Sequence, residues 1–196
     1  MMKTIFLLAF GLATHSLQLS ASTPVNVDPG FEAKGEWWAK PFIPQDSENS
    51  GAAFYFSNQQ PHSGEVCAVM AATEDARFAI SPKGGRIAVE PGQVIEFSVW
   101  IKAGNDFMIK DGTPGFIIRI DYLQGDNTVG KRFIDWEGAA TASPPKSAAL
   151  ISSEWTQVQA RITTPENADG IRASIFFWRA SGSLYLDDFE IIPLDQ

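Results

Sequence analysis

Between Val94 and Lys102 the side chains alternate: Ile95, Phe97, Val99 and Ile101 are apolar, and Glu96, Ser98 and Lys102 fall between them, with Trp100 standing in the polar row. A period of two sends successive side chains to opposite faces of an extended strand, and a helix cannot gather such a set on one side. Residues 116–122 repeat the design, with Phe116, Ile118, Ile120 and Tyr122 on one face and Ile117, Arg119 and Asp121 on the other. In residues 155–163, Val158, Ala160 and Ile162 alternate with Gln157, Gln159 and Arg161. Further strands are expected at 52–57, 66–71, 77–81, 129–136, 171–179 and 184–191, divided by turn signals at Pro91-Gly92, Gly125-Asp126-Asn127 and Ser181-Gly182-Ser183. Past the N-terminal segment no run keeps helical periodicity. About eight to ten strands so spaced imply an all-β fold, a two-sheet antiparallel β-sandwich of the jelly-roll type.

The first residues are of another kind. Lys3 precedes an apolar run from Ile5 to Ala13, shorter than the roughly 20 residues that cross a bilayer, and small or polar residues follow. Residues 1–21 therefore read as a secretory signal peptide, with cleavage after Ala21, Ser16 or Ser22 left open, and residues 22–196 as one β-sandwich domain that is secreted or periplasmic. The chain carries 15 basic and 23 acidic residues, a formal charge of −8. With no basic cluster along the chain, nucleic acid and membrane insertion are not expected. Cys67 is the sole cysteine, so no intrachain disulfide can form, and its apolar neighbours mark it as a buried, inert thiol.

In Leu184-Tyr185-Leu186-Asp187-Asp188-Phe189-Glu190-Ile191, strict alternation puts Asp187 in one row with Tyr185, Phe189 and Ile191. A carboxylate in an apolar row needs a cation or several donors. Glu32, in the turn Asp28-Pro29-Gly30-Phe31-Glu32, is the best distant partner, and a structural calcium ion held in part by Glu32 and Asp187 is expected where the first and last strands meet. The competing account has Asp187 capping a turn or pairing with an arginine such as Arg77.

The ordered series Asp28-Pro29-Gly30-Phe31-Glu32, His62-Ser63-Gly64, Val89-Glu90-Pro91-Gly92 before Glu96 to Lys102, Glu154-Trp155, and Leu184 to Phe189 resembles the carbohydrate-binding modules attached to cellulases and xylanases, which have the galactose-binding-like jelly-roll fold. The resemblance spans nearly all of residues 22–196. It implies a structural calcium with ligands at Glu32 and Asp187 and backbone carbonyls near His62 and Gly64. It further implies a non-catalytic protein that binds a polysaccharide or oligosaccharide.

Sugar sites pair aromatic platforms with polar hydrogen bonders. If the strands bearing them are neighbours in one sheet, Trp100, Arg119 and Asp121 share a face, which Gln157 or Arg161 and Trp178 or Arg179 would join. Trp155 is expected to be structural, Trp178 also suits core packing, and Trp37, Trp38 and Trp136 lie in or beside loops, where they form a binding edge or anchor the loop. His62 is the only histidine past the signal segment, so neither a histidine metal site nor a Ser-His-Asp triad is supported. The alternatives are an exported structural or adhesion module that binds a protein or envelope component through its long loops, and a small glycan-cleaving enzyme with two carboxylates across a cleft.

Overall fold

The computed structural model describes residues 24–146 and 150–194; the expected signal segment lies outside them. The strands are β1 (Ala53–Ser57), β2 (Cys67–Ile80), β3 (Ile87–Ala88), β4 (Val94–Ala103), β5 (Met108–Ile109), β6 (Gly115–Gln124), β7 (Asn127–Ile134), β8 (Ala140–Thr141), β9 (Thr156–Thr163) and β10 (Gly170–Leu194). Every pairing is antiparallel. Among the described residues one 3-10 turn is present, at Gln45–Ser47. The structure is the expected jelly-roll β-sandwich.

Two long strands pass through both layers. The first half of β10, to Trp178, pairs with β6 on one side and with the end of β2 on the other. Its second half, from Leu184, pairs with β4 and with the start of β2. One layer therefore runs β8-β7-β6-β10-β2 and the other β9-β4-β10-β2-β1. Their inner rows, Phe116, Ile118 and Ile120 from β6 and Ile95, Phe97, Val99 and Ile101 from β4, meet in one core with Ile175, Phe177, Leu184 and Phe189 of β10.

Three local expectations are corrected. The runs at 66–71 and 77–81 form one continuous strand, β2. Ser181-Gly182-Ser183 is not a tight turn but the corner at which β10 leaves one layer for the other. Gly182 has φ +80 there, and a Cβ would strike the Asp106 carbonyl, so the bend needs glycine. Asp106 Oδ1 accepts the Ser183 amide at 3.1 Å and holds the corner. Third, Tyr185, Asp187, Phe189 and Ile191 do not share a face. A bulge between Asp187 and Glu190, with Asp188 at φ 46, shifts the phase. Leu184 and Leu186 point into the core before it, Phe189 and Ile191 after it. Asp187 points outward beside Trp100, its cross-strand partner.

Candidate functional site

The outer face of the β7-β6-β10-β2 layer is open. Four residues of β10, Arg172, Ser174, Phe176 and Trp178, alternate with the buried Ile171, Ala173, Ile175 and Phe177. Register sets each against neighbours on the same face: Arg172 beside Asp121, which in turn faces Lys131; Ser174 beside Arg119, which faces Phe133; Trp178 beside Arg77. Phe42 and two prolines, Pro44 and Pro144, wall a cleft of about 560 Å³ over this grid.

Its polar groups are braced. Arg119 donates from Nε and Nη2 to Asp121 Oδ1 at 2.9 and 2.7 Å, which fixes the guanidinium plane over the sheet. Ser81 and Ser174 share a hydroxyl hydrogen bond of 2.9 Å. The Arg77 guanidinium lies 5.5 Å from the Trp178 ring centre, a cation–π distance, and the Phe176 and Trp178 rings are 5.5 Å apart. Lys131 Nζ stands 5.7 Å from the Phe133 ring.

Of the expected binding residues, the structure brings together Arg119, Asp121 and Trp178. The condition that would add Trp100 is not met, because β4 pairs with β9 and β10 and lies in the other layer. Trp100 instead stacks on His62 with ring centres 3.9 Å apart, and Trp155 meets the same imidazole edge-on at 5.6 Å. Gln157 and Arg161 stay in that layer, bonded to Ser98 and Glu96. Arg179 turns from the cleft to an ion pair with Asp75 at 2.6 Å. Trp38 is a core residue, 3% exposed and stacked on Phe31 at 4.6 Å, so it anchors its loop and forms no binding edge. Trp136 packs against the core as well, and Trp37 is exposed beside a separate small hollow near Pro82 and Arg86.

Lys131, Arg172, Ser174 and Phe176 also belong to the cleft, although the sequence alone does not mark them, and Arg77, expected only as an alternative partner of Asp187, joins them. The usable signal was the polar pair Arg172 and Ser174, which shows that the row ending in Trp178 faces outward.

A second locus joins the two ends of the domain. Asn26 donates to the Phe189 carbonyl at 2.6 Å and accepts the Ile191 amide at 2.8 Å, so the first segment is sewn onto the last strand. The loop after β1 lies over Asp187, which is fully buried. Asp187 Oδ2 accepts the amides of His62 and Ser63 at 2.8 and 3.2 Å, and Oδ1 accepts the Asp188 amide at 2.9 Å. Amides of this turn, and not its carbonyls, therefore face Asp187, as in the turn-capping alternative. Arg77 is engaged at 3.5 Å with Asp46. Glu32 Oε1 accepts the amides of Glu65 and Val66 at 2.9 and 3.2 Å. His62 Nδ1 and Ser63 Oγ both reach Asp188, at 2.8 and 2.7 Å. Gly64, at φ +60, lies against Glu32, where a Cβ would overlap the carboxylate.

Burial raises the Asp187 pKa above its ordinary value, and the neighbouring Asp188 charge adds to the effect while the amides oppose it. In the same region Asp28 Oδ2 is buried without a hydrogen-bond partner. Cys67 is buried and its pKa is raised to about 11, first by burial and then by the Asp187 charge. Its burial is as expected, and a raised pKa disfavours the reactive thiolate.

The fold is that of carbohydrate-binding modules. No family model matches the chain, and no curated protein matches it. Among solved structures, the enzymatically active domain of bacteriophage CBA120 tailspike protein 4 aligns with a TM-score of 0.59 at 12% identity, over 87% of this chain and 21% of that one. The CBM22-1 and GH10 modules of Clostridium thermocellum endo-1,4-β-D-xylanase 10B, complexed with xylohexaose, align with a TM-score of 0.52 at 17% identity, over 84% of this chain and 27% of that one. TmCBM61, in complex with β-1,4-galactotriose, aligns with a TM-score of 0.50 at 18% identity, over 88% of this chain and all of that one.

Proposed function

We propose that this is an exported, non-catalytic carbohydrate-binding protein that holds a polysaccharide or oligosaccharide in the cleft of the β7-β6-β10-β2 layer. The observation that carries the proposal is the pairing, on one open sheet face, of the Phe176 and Trp178 rings with the braced Arg119–Asp121 pair and Ser174. Sugar rings present a C–H face to an aromatic platform and hydroxyls at their rim to such donors and acceptors. Galactotriose in complex with TmCBM61, and xylohexaose in complex with the CBM22-1 and GH10 modules, support the ligand class. Affinity electrophoresis through a panel of plant, algal and microbial polysaccharides tests it: at least one polymer retards the wild type, and Trp178→Ala abolishes that retardation. Free migration in every gel, or release of reducing ends from a polymer, would refute it.

We further propose a structural calcium ion between the first turn and β10. Support comes from the chemistry of the donors: Asp187 is fully buried with no basic partner among the described residues, Glu32 approaches the same loop, and the Asp28 oxygen is unsatisfied. Hard carboxylate oxygens suit calcium. Among the described residues no three acidic, imidazole or thiol side chains gather round one point, so backbone oxygens and water would complete the set. When bound, the ion would supply charge neutralisation and a cross-link, with Glu32 and Asp187 holding their oxygens in place through the amides they accept. A chelator is expected to lower the melting temperature of the wild type and to have no effect on Asp187→Ala. An unchanged wild-type melting temperature would remove the ion.

A further inference from the structure

The cleft is basic in an acidic protein. Of its charged lining residues, Arg77, Arg119, Lys131 and Arg172 are positive and only Asp121 is negative, whereas the whole chain carries −8. The positions are far apart in sequence, so no basic cluster shows along the chain; register across β2, β10, β6 and β7 assembles one.

Two of these charges are spoken for within the protein. Arg119 is bound to Asp121, and Arg77 sits over Trp178 and reaches Asp46 at 3.5 Å. Lys131 and Arg172 have no carboxylate partner among the described residues. They stand on either side of Asp121 in one cross-strand row, both exposed to solvent. Trp178 lies six residues along β10 from Arg172, so the cleft has a cationic end and an aromatic end roughly 20 Å apart at strand spacing.

Resting on the proposal that this cleft binds a glycan, we infer that its ligand is an acidic polysaccharide, with a carboxylate or sulfate group held between Lys131 and Arg172 while sugar rings stack at Trp178 and Phe176. A neutral sugar leaves those two cations without a counter-charge, whereas an anionic group gains charge-assisted hydrogen bonds from both. The negative remainder of the surface confines such a ligand to the cleft, since polyanions are repelled elsewhere. It also disfavours nucleic acid, whose dense phosphates need a broad basic footprint.

The test is affinity electrophoresis of the full chain with matched polymers: polygalacturonate against its methyl ester, carboxymethyl cellulose against hydroxyethyl cellulose, and dextran sulfate against dextran, with single-stranded DNA as a further lane. The charged member of at least one pair is expected to retard the protein more than its neutral twin, and added salt to weaken the retardation. The double variant Lys131→Gln, Arg172→Gln is expected to lose about tenfold or more in affinity for that polymer, as two charge-assisted contacts disappear. Which pair responds separates carboxylate from sulfate. If a neutral polymer binds as tightly and the double variant is unaffected, the acidic ligand is overturned while the cleft stands as a glycan site. If Trp178→Ala changes nothing, or only DNA retards the protein, the cleft proposal falls with it. Circular dichroism and the melting curve of the double variant exclude misfolding, because both residues are exposed and replaced by polar ones.

Discussion

The two outer faces of the sandwich begin from the same pattern and end differently. Each is the polar row of alternating strands with a tryptophan in it: Trp178 on one, Trp100 on the other. Over Trp178 the sheet is open, its rings and charges line a cleft, and Lys131 and Arg172 have no carboxylate partner among the described residues. Over Trp100 the loop after β1 has folded down. His62 takes the indole face, and Asp187 spends both oxygens on backbone amides. A satisfied, covered face can stabilise but has little left to offer a ligand. An open face with accessible rings and cations retains the capacity for recognition.

The contrast predicts a ranked series of effects. The largest belongs to Asp187→Ala, which leaves three part-buried amides without their acceptor and is expected to destabilise the fold by roughly 3 kcal/mol, read from denaturant melts. A loss well below that would mean the loop is not locked as described. Next, Trp178→Ala is expected to weaken glycan retardation by about tenfold or more with little change in melting temperature, the signature of an exposed platform. Trp100→Ala should do the reverse, leaving retardation intact and costing about 1 kcal/mol of stability through the lost stacking. Equal losses of binding in both variants would erase the distinction between the faces.

A smaller effect concerns pH. Because burial holds the Asp187 pKa above the ordinary 3.8, the folded protein without a bound ion keeps its proton longer than the unfolded chain does. This group's contribution to stability is full below pH 3.8 and is lost as pH rises through the folded value. Denaturant melts at stepped pH in the presence of a chelator should show that decline, and Asp187→Asn should flatten it. A rise in the same window would show that the amides outweigh burial. The smallest effect is at Cys67: with its pKa near 11, a thiol reagent should leave the native protein unlabelled at neutral pH and modify it only on unfolding.

The places where sequence reasoning succeeded and failed follow from this. Arg119 and Asp121 were assigned to one face because they sit two residues apart on a single strand, and local periodicity decides that much. Their companion was misjudged. Trp100 and Trp178 are equivalent by pattern, and only strand order puts one in the layer of Arg119 and the other in the opposite layer. Asp187 was identified as a carboxylate in need of donors, and it is one. Its face was wrong because the bulge at Asp188 moves the phase by one residue, and the loop that covers it is distant in sequence.

What this sequence determined by itself is where the main extended runs lie, the inner row of each regular strand and the β-sandwich class, because a period of two is written in adjacent residues. The tertiary structure alone decided which outer face stays open, that β10 is one bent strand shared by two layers, and that Arg77, Lys131 and Arg172 converge into a basic cleft. Each of these depends on the register between strands far apart in the chain, which is set by packing of the whole core and by loop coverage, and no local pattern encodes it.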